Sequence, residues 1–109
     1  MTTSIGATAV ELASAIRRRE CSAAELVQAQ LARIAQRNPA LNAIVTLDAE
    51  GALERAAAAD AALAAGRPCG PLHGVPFTLK DCFETAGLRT TAGYPLALRR
   101  PLSVSIQPA

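Results

Sequence analysis

The sequence predicts an α/β fold, and three observations carry that prediction. Two S/T-x-x-E capping boxes open amphipathic segments, short β-branched runs are too brief to be helices, and the elements succeed one another as helix, helix, strand, helix, loop, strand. A chain of 109 residues is one small domain at most. Half of it is apolar but only 3% is aromatic, and alanine supplies much of the apolar share, so burial per residue is thin.

Thr8-Ala9-Val10-Glu11 is the first capping box, in which hydroxyl and carboxylate each satisfy a backbone N–H at a helix start. A helix over 9–19 follows, with Ala9, Leu12, Ala13 and Ile16 as its stripe. Arg17, Arg18 and Arg19 stand where the helix dipole favours cations. Ser22-Ala23-Ala24-Glu25 repeats the device, and Ala23, Val27, Leu31 and Ile34 line a second helix that Pro39 is expected to stop near Arg37. "NAIVTL" (42–47) reads as a strand. Asp48 then caps a third helix to about Ala65, with stripe Leu53, Ala57, Ala61 and Ala64, and Gly66 and Pro68 end it.

Composition excludes several classes of function. The net charge of +2 is spread along the chain, which is no footprint for nucleic acid or an anionic membrane. Cys21, Cys69 and Cys82 form neither a C-x-x-C pair nor a zinc pattern and read as reduced thiols. The first residues lack the apolar core of a secretory signal, and no run is long enough to span a bilayer. The expected location is the cytoplasm, with no metal and no organic cofactor.

"GPLHGVPFTLKD" (70–81) is the most informative stretch. Read as a strand, "VPFTLKD" puts Val75, Phe77 and Leu79 on a core face and Pro76, Thr78 and Lys80 on the other. From spacing alone, a lysine ending a strand extends its charge into solvent and blunts an edge. His73 reads as a loop residue, without partners at metal spacing. Asp81 has three readings: a pair with Lys80, a cap on the next turn, or a bond to a backbone amide. Beyond it, Thr90 and Thr91 bring hydroxyls to a turn-rich connection.

The block "GPLHGVPFTLKDCFETAGLRTTAG" (70–93) resembles the lysine-bearing segment of the amidase signature family, serine hydrolases of amide bonds that include the A subunit of the glutamyl-tRNA amidotransferase. The helix pair and "NPALNAIVTLDAE" (38–50) resemble that family's N-terminal region, so the likeness runs from Ala7 to Pro95. It implies the N-terminal portion of the amidase signature fold, helices packed on a mixed central sheet, incomplete in this chain. It also implies that Lys80 is the base of a Ser-Ser-Lys triad, in which a central serine with a cis peptide bond relays a proton to the nucleophilic serine. Asp81, Thr90 and Thr91 would be supports. A lysine base must be held neutral by burial and hydrogen bonds, so the resemblance reverses the solvent reading of Lys80.

The serines of that triad belong on a Gly/Ser-rich segment absent from these residues, and Ser103 and Ser105 lack flanking glycines. The expected organisation is therefore 1–95 as the N-terminal part of an amidase domain and 96–109 as an atypical tail, frameshifted or disordered, with a true boundary as the alternative. The functional expectation is a truncated amidase-family protein, inactive alone, whose complete relative cleaves a small-molecule amide through an acyl-serine intermediate. Two alternatives stay open: a non-catalytic binding module or subunit, and an unstable fragment that self-associates through exposed sheet edges.

Overall fold

A computed structural model describes residues 6–83 and 86–88. The chain divides into two compact units, one of residues 1–42 and 49–76, the other of residues 43–48 and 77–109. In the first unit the helices are α1 (Ala9–Arg17), α2 (Ala23–Leu41) and α3 (Ala49–Ala64).

Both capping boxes form as the sequence predicts. The Thr8 N–H donates to Glu11 Oε2 at 2.7 Å while the Glu11 N–H donates to Thr8 Oγ1 at 3.2 Å. Ser22 and Glu25 do the same for α2, at 3.1 and 3.0 Å. The sequence did not disclose what satisfies the remaining donors at that end. The Asp60 carboxylate, from α3, accepts the Ala23 N–H at 2.7 Å and the Ala24 N–H at 3.0 Å. Three of the first-turn amides of α2 are thus occupied, two by a side chain remote in sequence.

The helix ends are closed by left-handed residues. Glycine meets this need only at Gly66, with φ +73°, where the Gly66 N–H bonds the Leu63 carbonyl and the Arg67 N–H bonds that of Ala62. At the end of α1 the same pair of bonds, Arg19 to Ile16 and Glu20 to Ala15, is made with Arg19 at φ 59°. An L-residue there is strained by about 1 kcal/mol. The three arginines expected to serve the helix dipole have separate tasks. Arg17 donates to the Gly70 carbonyl at 2.7 Å, Arg19 reaches the Leu63 carbonyl at 3.4 Å, and Arg18 pairs on the surface with Glu20 at 2.8 Å.

The core is built in two patches. Ile16, Cys21 and Leu26 are buried together, flanked by Leu12, Ala15, Leu63 and Val75. Ala23, Val27 and Ala56 form the second, flanked by Ala24, Leu31, Ala52, Leu53 and Ala59. Complete burial of Ile16 and Leu26 contributes about 1.5–3 kcal/mol each. The second patch is nearly all alanine, which lets the α2 and α3 backbones approach closely.

Four expectations need correction. Helix α2 does not stop near Arg37 but continues through Pro39 to Leu41. Proline forfeits its own N–H bond and crowds the carbonyl four residues back, yet the final turn still closes through the Asn42 N–H to the Asn38 carbonyl at 2.6 Å, with Asn42 left-handed. Helix α1 ends at Arg17 rather than Arg19, because Arg19 turns left-handed. On α3 the packed face is Ala52, Leu53, Ala56, Ala59 and Leu63, whereas Ala57, Ala61 and Ala64 are exposed. In an alanine-rich helix nearly every choice of stripe has the right spacing, so periodicity cannot select the face.

The fourth correction concerns the sheet. Neither 42–47 nor 75–81 is a strand, and the described residues contain no sheet. A strand exists only through ladder bonds to a neighbour, and β-branched composition cannot provide one. Phe77 and Leu79, expected on a core face, are 67% and 45% exposed, while Val75 packs against the first core patch. Sheet edges for self-association accordingly have no counterpart among the described residues.

Removing the tertiary cap tests this arrangement. Asp60→Ala is expected to lower the unfolding free energy by about 1.5–3 kcal/mol, against about 1 kcal/mol for Ser22→Ala, measured by urea denaturation followed by circular dichroism. Equal losses would show that Asp60 does no more than a local cap.

Candidate functional site

The GPLHG turn is set by two glycines. Gly70 and Gly74 have φ +81° and +82°, values that side chains avoid, and the Val75 N–H closes the turn onto the Leu72 carbonyl at 3.1 Å. Gly74 has a second reason to be glycine. A Cβ there would lie 3.2 Å from both Ala23 Cβ and Ile16 Cδ1, so the turn backbone rests directly on the first turns of α2 and the end of α1.

His73 is a loop residue, as expected, but not one that faces solvent. It is buried, its Nδ1 accepts the Cys69 N–H at 2.9 Å, and its Nε2 lies 2.8 Å from the Ala59 carbonyl. A backbone N–H can only donate and a carbonyl can only accept, so the ring carries its proton on Nε2. One imidazole therefore ties the loop after α3 to α3 itself, a structural use of both nitrogens. The flanking glycines were a signal that the position is geometrically constrained, although not of what the ring bonds. Asp60 gave a similar signal, as a lone acid on the packed face of an alanine-rich helix.

An open cleft of about 310 Å³ lies beside the ends of α1 and α3. Its polar side chains are already engaged: Asp60 and Glu25 at the start of α2, Glu20 with Arg18, and Arg19 with Leu63. Its thiol, Cys21, is pushed up from the usual cysteine range by burial and then by the carboxylates of Glu25, Glu20 and Asp60. Such a thiol is a poor nucleophile. Among the described residues no three His, Cys, Asp or Glu side chains gather to hold a metal ion.

The lysine stands in the second unit. The Phe83 N–H donates to the Lys80 carbonyl at 3.0 Å, closing a turn over Asp81 and Cys82. Lys80 is exposed and its Nζ lies 3.7 Å from Cys82 Sγ, while Asp81 is half-buried. Thr90 and Thr91 lie outside the described residues, as does the 96–109 tail. The structure therefore brings Lys80, Asp81 and Cys82 into one turn, surrounded in sequence by the exposed apolar side chains Phe77, Leu79 and Phe83.

Comparison with known proteins gives this turn a context. Residues 25–102 match the family model described as Amidase. The chain is 56% identical over 86 residues to the A subunit of the glutamyl-tRNA(Gln) amidotransferase of Acidothermus cellulolyticus, an alignment covering 79% of this chain and 17% of that protein. It is 53% identical over 89 residues to the protein of the same name from an Azoarcus species, covering 82% and 18%. Among solved structures it is similar to a bacterial aryl acylamidase belonging to the amidase signature enzymes, with TM-score 0.81 and 32% identity over 92% of this chain and 21% of that one. The chain thus spans about a fifth of the length of these relatives.

Thiol accessibility provides a direct check on this geometry. In mildly alkaline buffer, iodoacetamide is expected to alkylate Cys69 and Cys82, which are exposed, and to reach Cys21 only after urea unfolding. Peptide mass mapping over time reads it, and equal rates at all three thiols would contradict the buried position of Cys21.

Proposed function

Since the chain belongs to the amidase family, we propose that Lys80 is the general base of an amide-hydrolysing Ser-Ser-Lys site whose two serines lie in sequence these residues do not include. The observation that carries the reading is the position of Lys80, inside the matched region and at the end of the Gly/Pro-punctuated block. In this reading the mixed central sheet belongs to the complete fold, and the protein works in the cytoplasm.

The chemistry follows from what each group can do. The unprotonated Lys80 amine accepts a proton, relayed by one serine hydroxyl from the other, as that second oxygen attacks the amide carbonyl. The C–N bond then breaks, the leaving nitrogen takes the proton back, and water releases the acid from the acyl-serine. A base of this kind works only when desolvation and hydrogen bonds hold the lysine neutral. Lys80 is exposed among the described residues, so its activation requires cover from elsewhere in the complete fold; Phe77, Leu79 and Phe83 are the apolar groups such cover would meet. Asp81 and the hydroxyls of Thr90 and Thr91 would support the lysine locally.

A second reading concerns the substrate. Identities of 56% and 53% to amidotransferase A subunits, against 32% to an aryl acylamidase, favour an amide donor that supplies ammonia to a partner reaction over an aryl amide.

An exchange experiment tests both readings. Residues 7–95 would replace the matching segment of the Acidothermus cellulolyticus relative, and hydrolysis of glutamine and of an acyl anilide would be compared. The chimera is expected to prefer glutamine and to lose activity at least about a hundredfold on Lys80→Ala. A Lys80→Ala chimera of undiminished activity would sink the assignment of the base, and preference for the anilide would sink the second reading. On this reading the 109-residue chain alone should neither turn over either amide nor be labelled by a fluorophosphonate, because both serines of the proposed site lie outside these residues.

A further inference from the structure

We propose that Lys80 and Cys82 form a peroxide-responsive pair, in which oxidised Cys82 is captured by the Lys80 amine as a reversible sulfur–nitrogen bond. Its regulatory meaning rests on the reading of Lys80 as the amidase base; the bond itself does not.

The turn creates the pair. With the Phe83 N–H on the Lys80 carbonyl, the side chains two residues apart are brought together, and Nζ stands 3.7 Å from Sγ. Both residues are exposed, so an oxidant in solution reaches the sulfur and little backbone movement is needed to close the gap. Within the same chain the other thiols offer a contrast. Cys21 is buried, with its thiol pushed up by that burial and by three carboxylates. Cys69 is exposed, and its described hydrogen bond is from its backbone N–H to His73.

The chemistry balances with a hydroperoxide as oxidant. The Cys82 thiolate attacks a peroxide oxygen; the S–O bond forms, the O–O bond breaks, and for hydrogen peroxide water leaves. Sulfur is oxidised by two electrons and the peroxide reduced by two, giving a sulfenic acid. The unprotonated Lys80 amine then attacks that sulfur; the S–N bond forms, the S–O bond breaks, and the departing hydroxide takes the amine proton as a second water. No further oxidation occurs in this step. A thiol reverses it by attacking sulfur, freeing the amine and leaving a mixed disulfide that a second thiol resolves. While the bond stands the lysine nitrogen is withdrawn as a base, and Cys82 is shielded from irreversible oxidation to the sulfinic acid.

The test treats the 109-residue chain, in a Cys69→Ser background that leaves Cys82 as the one exposed thiol, with hydrogen peroxide, then blocks remaining thiols, digests with trypsin and maps masses. The expected product spans the Lys80–Asp81 bond uncut, lacks two hydrogens relative to its reduced form, and reverts with dithiothreitol. Cys82→Ser should abolish it, and Lys80→Arg should abolish it while sulfinic acid accumulates at residue 82. Sulfinic acid at Cys82 with normal cleavage after Lys80, or a disulfide-linked dimer instead of the internal bond, would overturn the proposal. The mass reading needs no enzymatic activity, so it separates from the assignment of the base. In the exchange chimera, a bond that forms while amide hydrolysis continues undiminished would leave the pair standing and overturn Lys80 as base.

Discussion

The helical unit depends most on the Asp60 carboxylate spanning two amides at the start of α2. A helix N-terminus carries unpaired donors and a partial positive charge, and a carboxylate answers both needs at once. Because Asp60 sits on the face of α3 that also carries Ala56 and Ala59, the bond fixes the register of the two helices as well as capping one of them. Alanine packing gives close approach but little directional preference. A half-buried pair of charge-assisted hydrogen bonds supplies the direction that the small side chains cannot.

The same economy governs the turn after α3. Gly74 allows the chain to lie on Ile16 and Ala23 without a side chain between them, and His73 anchors the turn through both ring nitrogens. Arg17, from the last turn of α1, holds the Gly70 carbonyl. The run that looks in sequence like preparation for a strand is in this unit a dock: three connections, one steric and two polar, hold it against the helices up to Pro76. Its Gly and Pro residues therefore serve the helical unit as much as the lysine beyond.

In the second unit an amine, a carboxylate and a thiol stand in one turn. Lys80, Asp81 and Cys82 are consecutive, and local backbone closure alone brings amine and thiol together. Proximity of that origin does not depend on distant packing, whereas the desolvation that would make Lys80 a base does. This difference separates the two proposals physically: a redox bond needs contact and access, a general base needs exclusion of water.

Local chemistry was legible in the sequence. Both capping boxes, the three helices and the Gly66 stop follow from side chains within a few residues of the bonds they make, and the 70–93 block pointed to the family that the comparisons show. The sequence could not place partners remote along the chain. Asp60 on the α2 amides, His73 on Ala59 and the choice of packed face on an alanine-rich helix all depend on which surfaces meet in three dimensions. The strands failed for the same reason, since β structure is a property of a pair and 42–47 and 75–81 have no ladder among the described residues. Sequence alone determined the family and the local caps, because residue type and short-range spacing fix what a side chain can do. Tertiary structure alone decided which residues are engaged, which are open to solvent and which stand within reach of one another, because burial and contact are relations between segments that no single segment contains.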